Sequence, residues 1–80
     1  MAPIVARDGE FIFIIYPREL PYEPPHVHVE FAGAQIRINL DDGCFLELPP
    51  TGKRRRLINA YRRHAHKIAR AWQKYHGERS

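Results

Sequence analysis

The sequence has one cysteine, no long apolar run and no recognisable secretory signal. Cys44 lacks a second cysteine with which to form a disulfide, which fits a reducing cytoplasm. No apolar stretch approaches the roughly 18 residues that a membrane helix needs. The opening segment MAPIVARDGE lacks a basic stretch followed by an apolar one, as a signal peptide would have. We therefore expect a cytoplasmic protein without membrane contact.

Acidic residues are scarce in the last third of the chain. Residues 53–80 carry ten Lys and Arg side chains against Glu78 alone, a net charge of +9, whereas residues 1–52 carry a net charge of −5. A basic segment this dense favours an anionic partner, either nucleic acid or an acidic protein. An ordinary solvated helix face can have the same composition, so charge alone leaves these interpretations open.

A length of 80 residues and 44% apolar content predict one domain over residues 1–80. Such a short chain buries only about 60 to 65% of the surface that its unfolded form exposes. The first half has the pattern of β-hairpins, with strands within about residues 3–48 and turns at Asp8-Gly9 and Ala32-Gly33. A proline-rich loop, YPRELPYEPP, is predicted between the second and third strands.

A further turn lies at the DDG stretch and leads into CFLEL, which we expect to pair with QIRINL. A two-residue loop would set the apolar Ile38 against the charged Glu47. A three-residue loop, Asp41–Gly43 with a left-handed glycine, pairs Ile38 with Leu46 and Arg37 with Glu47. The matching of apolar and charged partners favours the three-residue loop.

One long helix is predicted from about residue 52 to 76, with Thr51 as its N-cap and Gly77 as its stop. At 100° per residue, an apolar stripe that would pack on the sheet is formed by Leu57, Tyr61, Ala65, Ile68, Trp72 and Tyr75, with Ile58 and Ala69 beside it. The opposite, basic side carries Arg56, Arg62, Arg63, Lys67, Arg70 and Lys74. The sequence thus predicts an α+β fold, a four-stranded antiparallel β-meander packed against one long C-terminal α-helix.

Polar side chains collect on one face of the predicted sheet. Because side chains alternate across a strand, His26, His28 and Glu30 share the face that the apolar Val27, Val29 and Phe31 do not occupy. With a two-residue turn, His28 lies opposite Arg37 and His26 opposite Asn39. A four-residue turn would shift each partner by two positions without changing the faces. We expect these polar groups to emerge on the side of the sheet that the helix leaves uncovered.

This polar face allows three interpretations. The first is the solvent-exposed face of a sheet that is buried on its other face. The second is a metal site with Glu30 as a ligand, which the nearby Arg37 disfavours because its charge repels a metal cation. The third is a metal-free site for acid–base chemistry on a phosphodiester. In the last case His26 and His28 divide the base and acid roles, Arg37 steadies the phosphate charge and Glu30 orients one imidazole. We expect no metal or other cofactor. His64, at the edge of the apolar stripe, is either a half-buried packing residue or a third member of this site.

The segments PPHVHVE and HAHKIARAWQKYHG, with a hairpin between them, resemble the small bacterial domain of unknown function 4160 over nearly the whole chain. The most specific features are the PPHxHV segment and His64 followed by Trp72 and Tyr75. The resemblance implies a compact α+β fold and a gene often paired with that of a second small protein, a layout typical of toxin–antitoxin modules. It also singles out His26, His28 and His64 as the positions of interest.

Together these features predict the toxin-like member of a two-gene module that binds or cleaves RNA. The basic helix side would hold phosphates of RNA or another nucleic acid, and any cleavage would be a metal-independent ribonuclease-like activity. A small partner protein encoded next to it is also expected. The alternative is a non-catalytic interaction module whose basic helix docks an acidic partner protein.

Overall fold

Four strands and one helix follow one another along the chain. A computed structural model describes residues 3–17 and 24–76. The elements are β1 Ile4–Asp8, β2 Phe11–Ile14, β3 His26–Phe31, β4 Ala34–Asn39, a short 3₁₀ turn Thr51–Lys53 and α1 Arg54–His76. The sheet order is β1-β2-β3-β4, and every neighbouring pair is antiparallel. The predicted α+β fold, a four-stranded meander with one C-terminal helix, is confirmed. Gly77 and most of the proline-rich loop lie outside the described residues.

The core lies between one face of the sheet and α1. Side chains that alternate along β2, β3 and β4 point to this face, and the apolar stripe of α1 closes it. The fully buried members include Phe13, Val27, Val29, Ile38, Leu57 and Ile68. Each such side chain contributes about 1.5 to 3 kcal/mol relative to an exposed one. The opposite face of the sheet, which α1 does not cover, is called the open face below.

The turn between β3 and β4 sets the register that the sequence predicts. Ala32 and Gly33 both have positive φ, +48° and +75°, as a two-residue type I′ turn requires. His28 therefore lies opposite Arg37, and His26 opposite Asn39.

The turn between β1 and β2 lies one residue later than predicted. Asp8 pairs with Phe11, so the turn residues are Gly9 and Glu10 rather than Asp8 and Gly9. Gly9 has φ +60°, which glycine adopts without strain at the first position of a hairpin turn. The shift places Ala6 opposite the fully buried Phe13, and it keeps Asp8 on the strand.

The predicted pairing of Ile38 with Leu46 is wrong by one residue. Ile38 instead forms an isolated bridge with Phe45, and the rest of the CFLEL segment is not a strand. The connecting loop has four residues, 40–43, because the Asn39 N–H donates to the Cys44 carbonyl at 2.8 Å. Phe45 consequently packs against the core, while Leu46 is 36% exposed.

Side chains within this loop explain its extra residue. The Asn39 side-chain oxygen accepts from the Asp41 N–H at 2.7 Å, and the Asp42 carboxylate accepts from the Cys44 N–H at 2.9 Å. Such local bonds stabilise a turn that strand alternation alone does not reveal. Gly43 is left-handed as predicted, with φ +75°.

The helical segment begins close to the predicted residue 52, as a 3₁₀ turn that leads into α1, but Thr51 is not its N-cap. Thr51 opens the 3₁₀ turn instead, and no side-chain hydrogen bond caps that turn at Pro50. The inner face of α1 is also rotated relative to the predicted stripe. Ala60 is buried and Ala69 is exposed, whereas the predicted stripe included Ala69 at its edge. The helix α1 lies mainly over β1 and β2. Among the described residues, no helix has both the length and the apolar character to cross a membrane.

Candidate functional site

His28 and Arg37 are neighbours on the open face, as the sequence predicts. They lie opposite each other across β3 and β4, and both side chains are partly buried. The ring of Tyr16 meets the His28 ring edge to face, with centroids 4.5 Å apart. The open face thus carries an imidazole and a guanidinium in adjacent positions.

Glu47 holds the Arg37 guanidinium. The Nη2 and Nε groups of Arg37 donate to Glu47 Oε2 at 2.5 and 3.0 Å, and the backbone N–H of Arg37 donates to Oε1 at 2.9 Å. The pKa of Glu47 is lowered, first by the hydrogen bond from Arg37 and further by the charges of Arg37 and His28. The charge of Arg37 is therefore partly offset by a carboxylate, which weakens its attraction for a phosphate.

Glu30 contacts an amide in this structure. Its Oε2 accepts from Gln35 Nε2 at 3.0 Å, across the start of the β3–β4 hairpin. The predicted role for Glu30 was to orient an imidazole. The position of Gln35 directly opposite Glu30 in the register explains why the amide is the partner.

His26 does not emerge on the open face, and this corrects the sequence-based expectation. The side chain is 1% exposed, and its Nδ1–H donates to the Pro24 carbonyl at 2.8 Å. Its ring lies 4.9 Å from the ring of His28 and 5.7 Å from that of Trp72. Trp72, in the last turns of α1, thus lies against His26 at the start of β3.

The contact between His26 and Trp72 belongs to a chain of five neighbouring rings that runs from the open face to the C-terminal end of α1. Trp72 stacks on His76 at 3.9 Å and 22°, and His76 Nε2–H donates to the Tyr16 carbonyl at 2.8 Å. We call this set the ring cluster: Tyr16, His28, His26, Trp72 and His76. It attaches the C-terminal end of α1 to β3 and to the end of β2. Local sequence patterns do not reveal the ring cluster, because its contacts join residues up to 60 positions apart.

His64 lies on the helix side of the sheet, away from the open face. Its side chain is 28% exposed, and Nε2–H donates to the Asp8 carboxylate at 3.0 Å. Arg63 bonds the same carboxylate through Nε at 2.8 Å. The pKa of Asp8 is lowered, chiefly by the hydrogen bond from Arg63 and further by that from His64. His64 is thus a half-buried histidine with an acidic partner, and the sheet separates it from His28.

The predicted basic side of α1 divides into paired and unpaired cations. Arg63 bonds Asp8, and Arg56 and Lys53 bond Glu10. Within residues 3–17 and 24–76, no ion pair involves the exposed side chains of Arg55, Arg62, Lys67, Arg70 and Lys74. Lys74 lies 5.5 Å from the centroid of the Tyr75 ring.

The sequence prediction missed Arg55 and the two acids of the β1–β2 hairpin. Arg55 could have been found, since at 100° per residue it lies about 160° from the buried Leu57. Asp8 and Glu10 could not, because their bonds to the 3₁₀ turn and α1 span 43 to 56 positions. In the described part of the chain, no three His, Cys, Asp or Glu side chains are grouped to hold a metal ion.

These features define a small α+β domain whose helix presents cations outward and whose sheet carries one buried and one partly buried histidine. Residues 10–73 match the family model described as Domain of unknown function (DUF4160), and the chain belongs to that family. The matched region includes His26, His28, Arg37 and His64 but not Asp8. The family resemblance expected from the sequence is confirmed. No curated protein and no solved structure matches the chain.

Proposed function

We propose that this domain binds nucleic acid through the outward face of α1. The observation that carries the proposal is the set of exposed cations without an ion pair within the described residues, chiefly Arg55, Arg62, Lys67 and Arg70. Exposed helices commonly offset their cations with carboxylates three or four residues away. The 23 residues of α1 contain no Asp or Glu at all.

The charge at the start of α1 supports the same proposal. Lys53 and the run Arg54–Arg55–Arg56 lie at the positive end of the helix dipole, where anionic side chains are favourable and cations are not. Glu10 offsets Lys53 and Arg56 from outside the helix. An arrangement that works against helix stability is expected where a ligand supplies the missing negative charge.

We propose that the activity is binding, without catalysis, and that the protein acts within the two-gene module that the family resemblance implies. The burial of His26 and the ion pair of Arg37 with Glu47 support packing roles for these side chains. Cleavage of RNA by His26 and His28 stays a prediction. It is tested by incubating the protein with end-labelled RNA in EDTA, with His28→Ala as the comparison. Cleavage that the variant loses while keeping its melting temperature would support catalysis.

Salt dependence tests the binding proposal. Fluorescence anisotropy with a labelled oligonucleotide would be measured between 50 and 200 mM salt. Log affinity falls with log salt by about 0.9 per phosphate contacted on a duplex and about 0.7 on a single strand. Four contacts thus predict a loss of roughly 50- to 150-fold over this range. An affinity that changes less than about fivefold, or no binding at 50 mM salt, would contradict the proposal.

A second candidate is an acidic partner protein. The bonds of Asp8 to Arg63 and of Glu10 to Arg56 show that carboxylates fit the flank of this helix. A competition experiment separates the two candidates. A poly-glutamate peptide of the same charge as the oligonucleotide is added to the complex of the protein with the labelled oligonucleotide. If the peptide displaces the oligonucleotide at equal charge concentration, the acidic-protein candidate is favoured, because the outward face of α1 then binds carboxylates as tightly as it binds phosphates.

A further inference from the structure

The part of α1 that points furthest from the sheet is a row of hydrogen-bonding side chains. At 100° per residue these positions lie within about 40° of the line opposite Leu57. We call this row the outer stripe: Arg55, Asn59, Arg62, His66, Arg70 and Gln73. All six are exposed, and no hydrogen bond or ion pair occupies any of them within the described residues.

The residue types of the outer stripe suit base edges as well as phosphates. Arginine binds guanine O6 and N7 with two hydrogen bonds, and Asn or Gln binds adenine N6 and N7 in the same way. The amides of Asn59 and Gln73 can also donate to phosphate oxygens, but an amide both donates and accepts only at a base edge such as that of adenine. The ion pairs of Arg56 and Arg63 with the β1–β2 hairpin lie on one flank of the helix and leave the stripe accessible.

The outer stripe contains no Trp, Tyr or Phe, and the imidazole of His66 is its one aromatic ring, too few to stack successive bases, which argues against single-stranded RNA as its ligand. Proteins that bind single strands stack the bases on exposed aromatic rings. On α1, Trp72 is stacked on His76 within the ring cluster, and Tyr61 and Tyr75 pack partly buried against the core. These rings therefore offer less surface for base stacking than fully exposed aromatic residues would.

The dimensions of α1 distinguish between duplex DNA and duplex RNA as the ligand. With 23 residues at 1.5 Å each, α1 is about 34 Å long, and it lies on the outside of the sheet with its outer half exposed. The major groove of B-form DNA, about 12 Å wide, admits an α-helix. The major groove of A-form RNA is deep and too narrow for side chains to read. We propose that the outer stripe enters the major groove of duplex DNA and reads base edges, an inference that rests on the proposed function.

The first test compares ligands. The full chain would be titrated by anisotropy into a labelled 20-base-pair DNA duplex of mixed sequence, the matching RNA duplex and the matching single-stranded RNA, all at one salt concentration. We expect the DNA duplex to bind at least about tenfold more tightly than either RNA, because only its groove admits the helix. Equal or tighter binding of RNA would overturn this inference and leave the proposed function intact. Absence of binding to all three would overturn both.

The second test addresses base reading. Selection from a random DNA duplex library is expected to enrich a sequence motif with the parent protein. The double variant Asn59→Ala/Gln73→Ala should lose that motif while its affinity for unselected DNA stays within about threefold, since neither amide carries charge. Gln35→Ala, an exposed amide on β4, is the matched control and should keep the motif. A parent without sequence preference, or a double variant that retains it, would contradict base reading by the stripe.

Discussion

Replacing His26 by alanine tests whether the PPHxHV histidine is part of the core. The side chain is 1% exposed, touches the rings of His28 and Trp72, and bonds the Pro24 carbonyl. Loss of a buried aromatic ring costs about 3 to 5 kcal/mol for phenylalanine, and the smaller, more polar imidazole belongs at or below that range. The lost hydrogen bond contributes about 1 kcal/mol. We expect a total loss of about 3 kcal/mol for His26→Ala.

This loss is large for a domain of 80 residues, whose unfolding free energy is about 4 to 12 kcal/mol. It corresponds to a fall in melting temperature of about 12 to 24 °C, followed by far-UV circular dichroism at pH 7. His66→Ala, an exposed histidine on the same chain, is the control and should melt within about 2 °C of the parent. If His26→Ala also melts within about 2 °C, the ring cluster does not hold the fold, and the acid–base role of His26 regains support.

The same reasoning changes how activity data should be interpreted. Because His26→Ala is expected to unfold part of the population, a loss of any activity in that variant would not identify a catalytic group. His28 is only partly buried, so His28→Ala separates chemistry from stability more cleanly.

Three further outcomes follow from particular contacts. Ala32→Asn should raise the melting temperature by a few degrees, about 0.5 to 1 kcal/mol, because asparagine tolerates the positive φ of the type I′ turn, whereas Ala34→Asn on β4 should not. The pKa of Asp8 is lowered from 3.8 in the folded domain, so its bond to Arg63 stabilises the domain above pH 3.8 and loses this effect as the pH falls through the lower folded pKa. The melting temperatures of Asp8→Asn and the parent should therefore differ at pH 6 and converge in acid. A difference that stays constant with pH would contradict this. Glu10→Gln should strengthen nucleic-acid binding and steepen its salt slope by about 1 or more, because it releases Lys53 and Arg56. An unchanged slope would show that these two cations make no phosphate contact.

Local rules predicted the β3–β4 hairpin correctly. The alternation of apolar residues and the Ala32-Gly33 turn together determine that His28 faces Arg37, because a slip of one residue would expose the whole apolar set. The loop after β4 was harder to predict. Its length depends on hydrogen bonds of Asn39 and other side chains to the nearby backbone, which leave no trace in strand alternation.

The candidate site could be predicted only in part, because it depends on how α1 lies across the sheet. Alternation places His26 and His28 on one face, but it does not reveal that Trp72 reaches over the start of β3. Helical periodicity placed His64 at the edge of the buried stripe, yet its partner Asp8 is 56 positions away. The exposed basic face, in contrast, follows from composition and periodicity alone, since no tertiary contact is needed to form it.

The central claim is that the outward face of α1 holds the ligand. Its most direct test is the salt slope of nucleic-acid binding by Arg55→Ala/Arg62→Ala/Arg70→Ala, compared with the parent and with Arg7→Ala, which removes an exposed cation of β1. On a DNA duplex, loss of these three cations should reduce the slope by up to about 2.7, the full amount if each arginine neutralises one phosphate and less where it bonds a base instead, while Arg7→Ala leaves the slope within about 0.5 of the parent. A triple variant that keeps the parent's slope and affinity would show that the nucleic acid binds elsewhere.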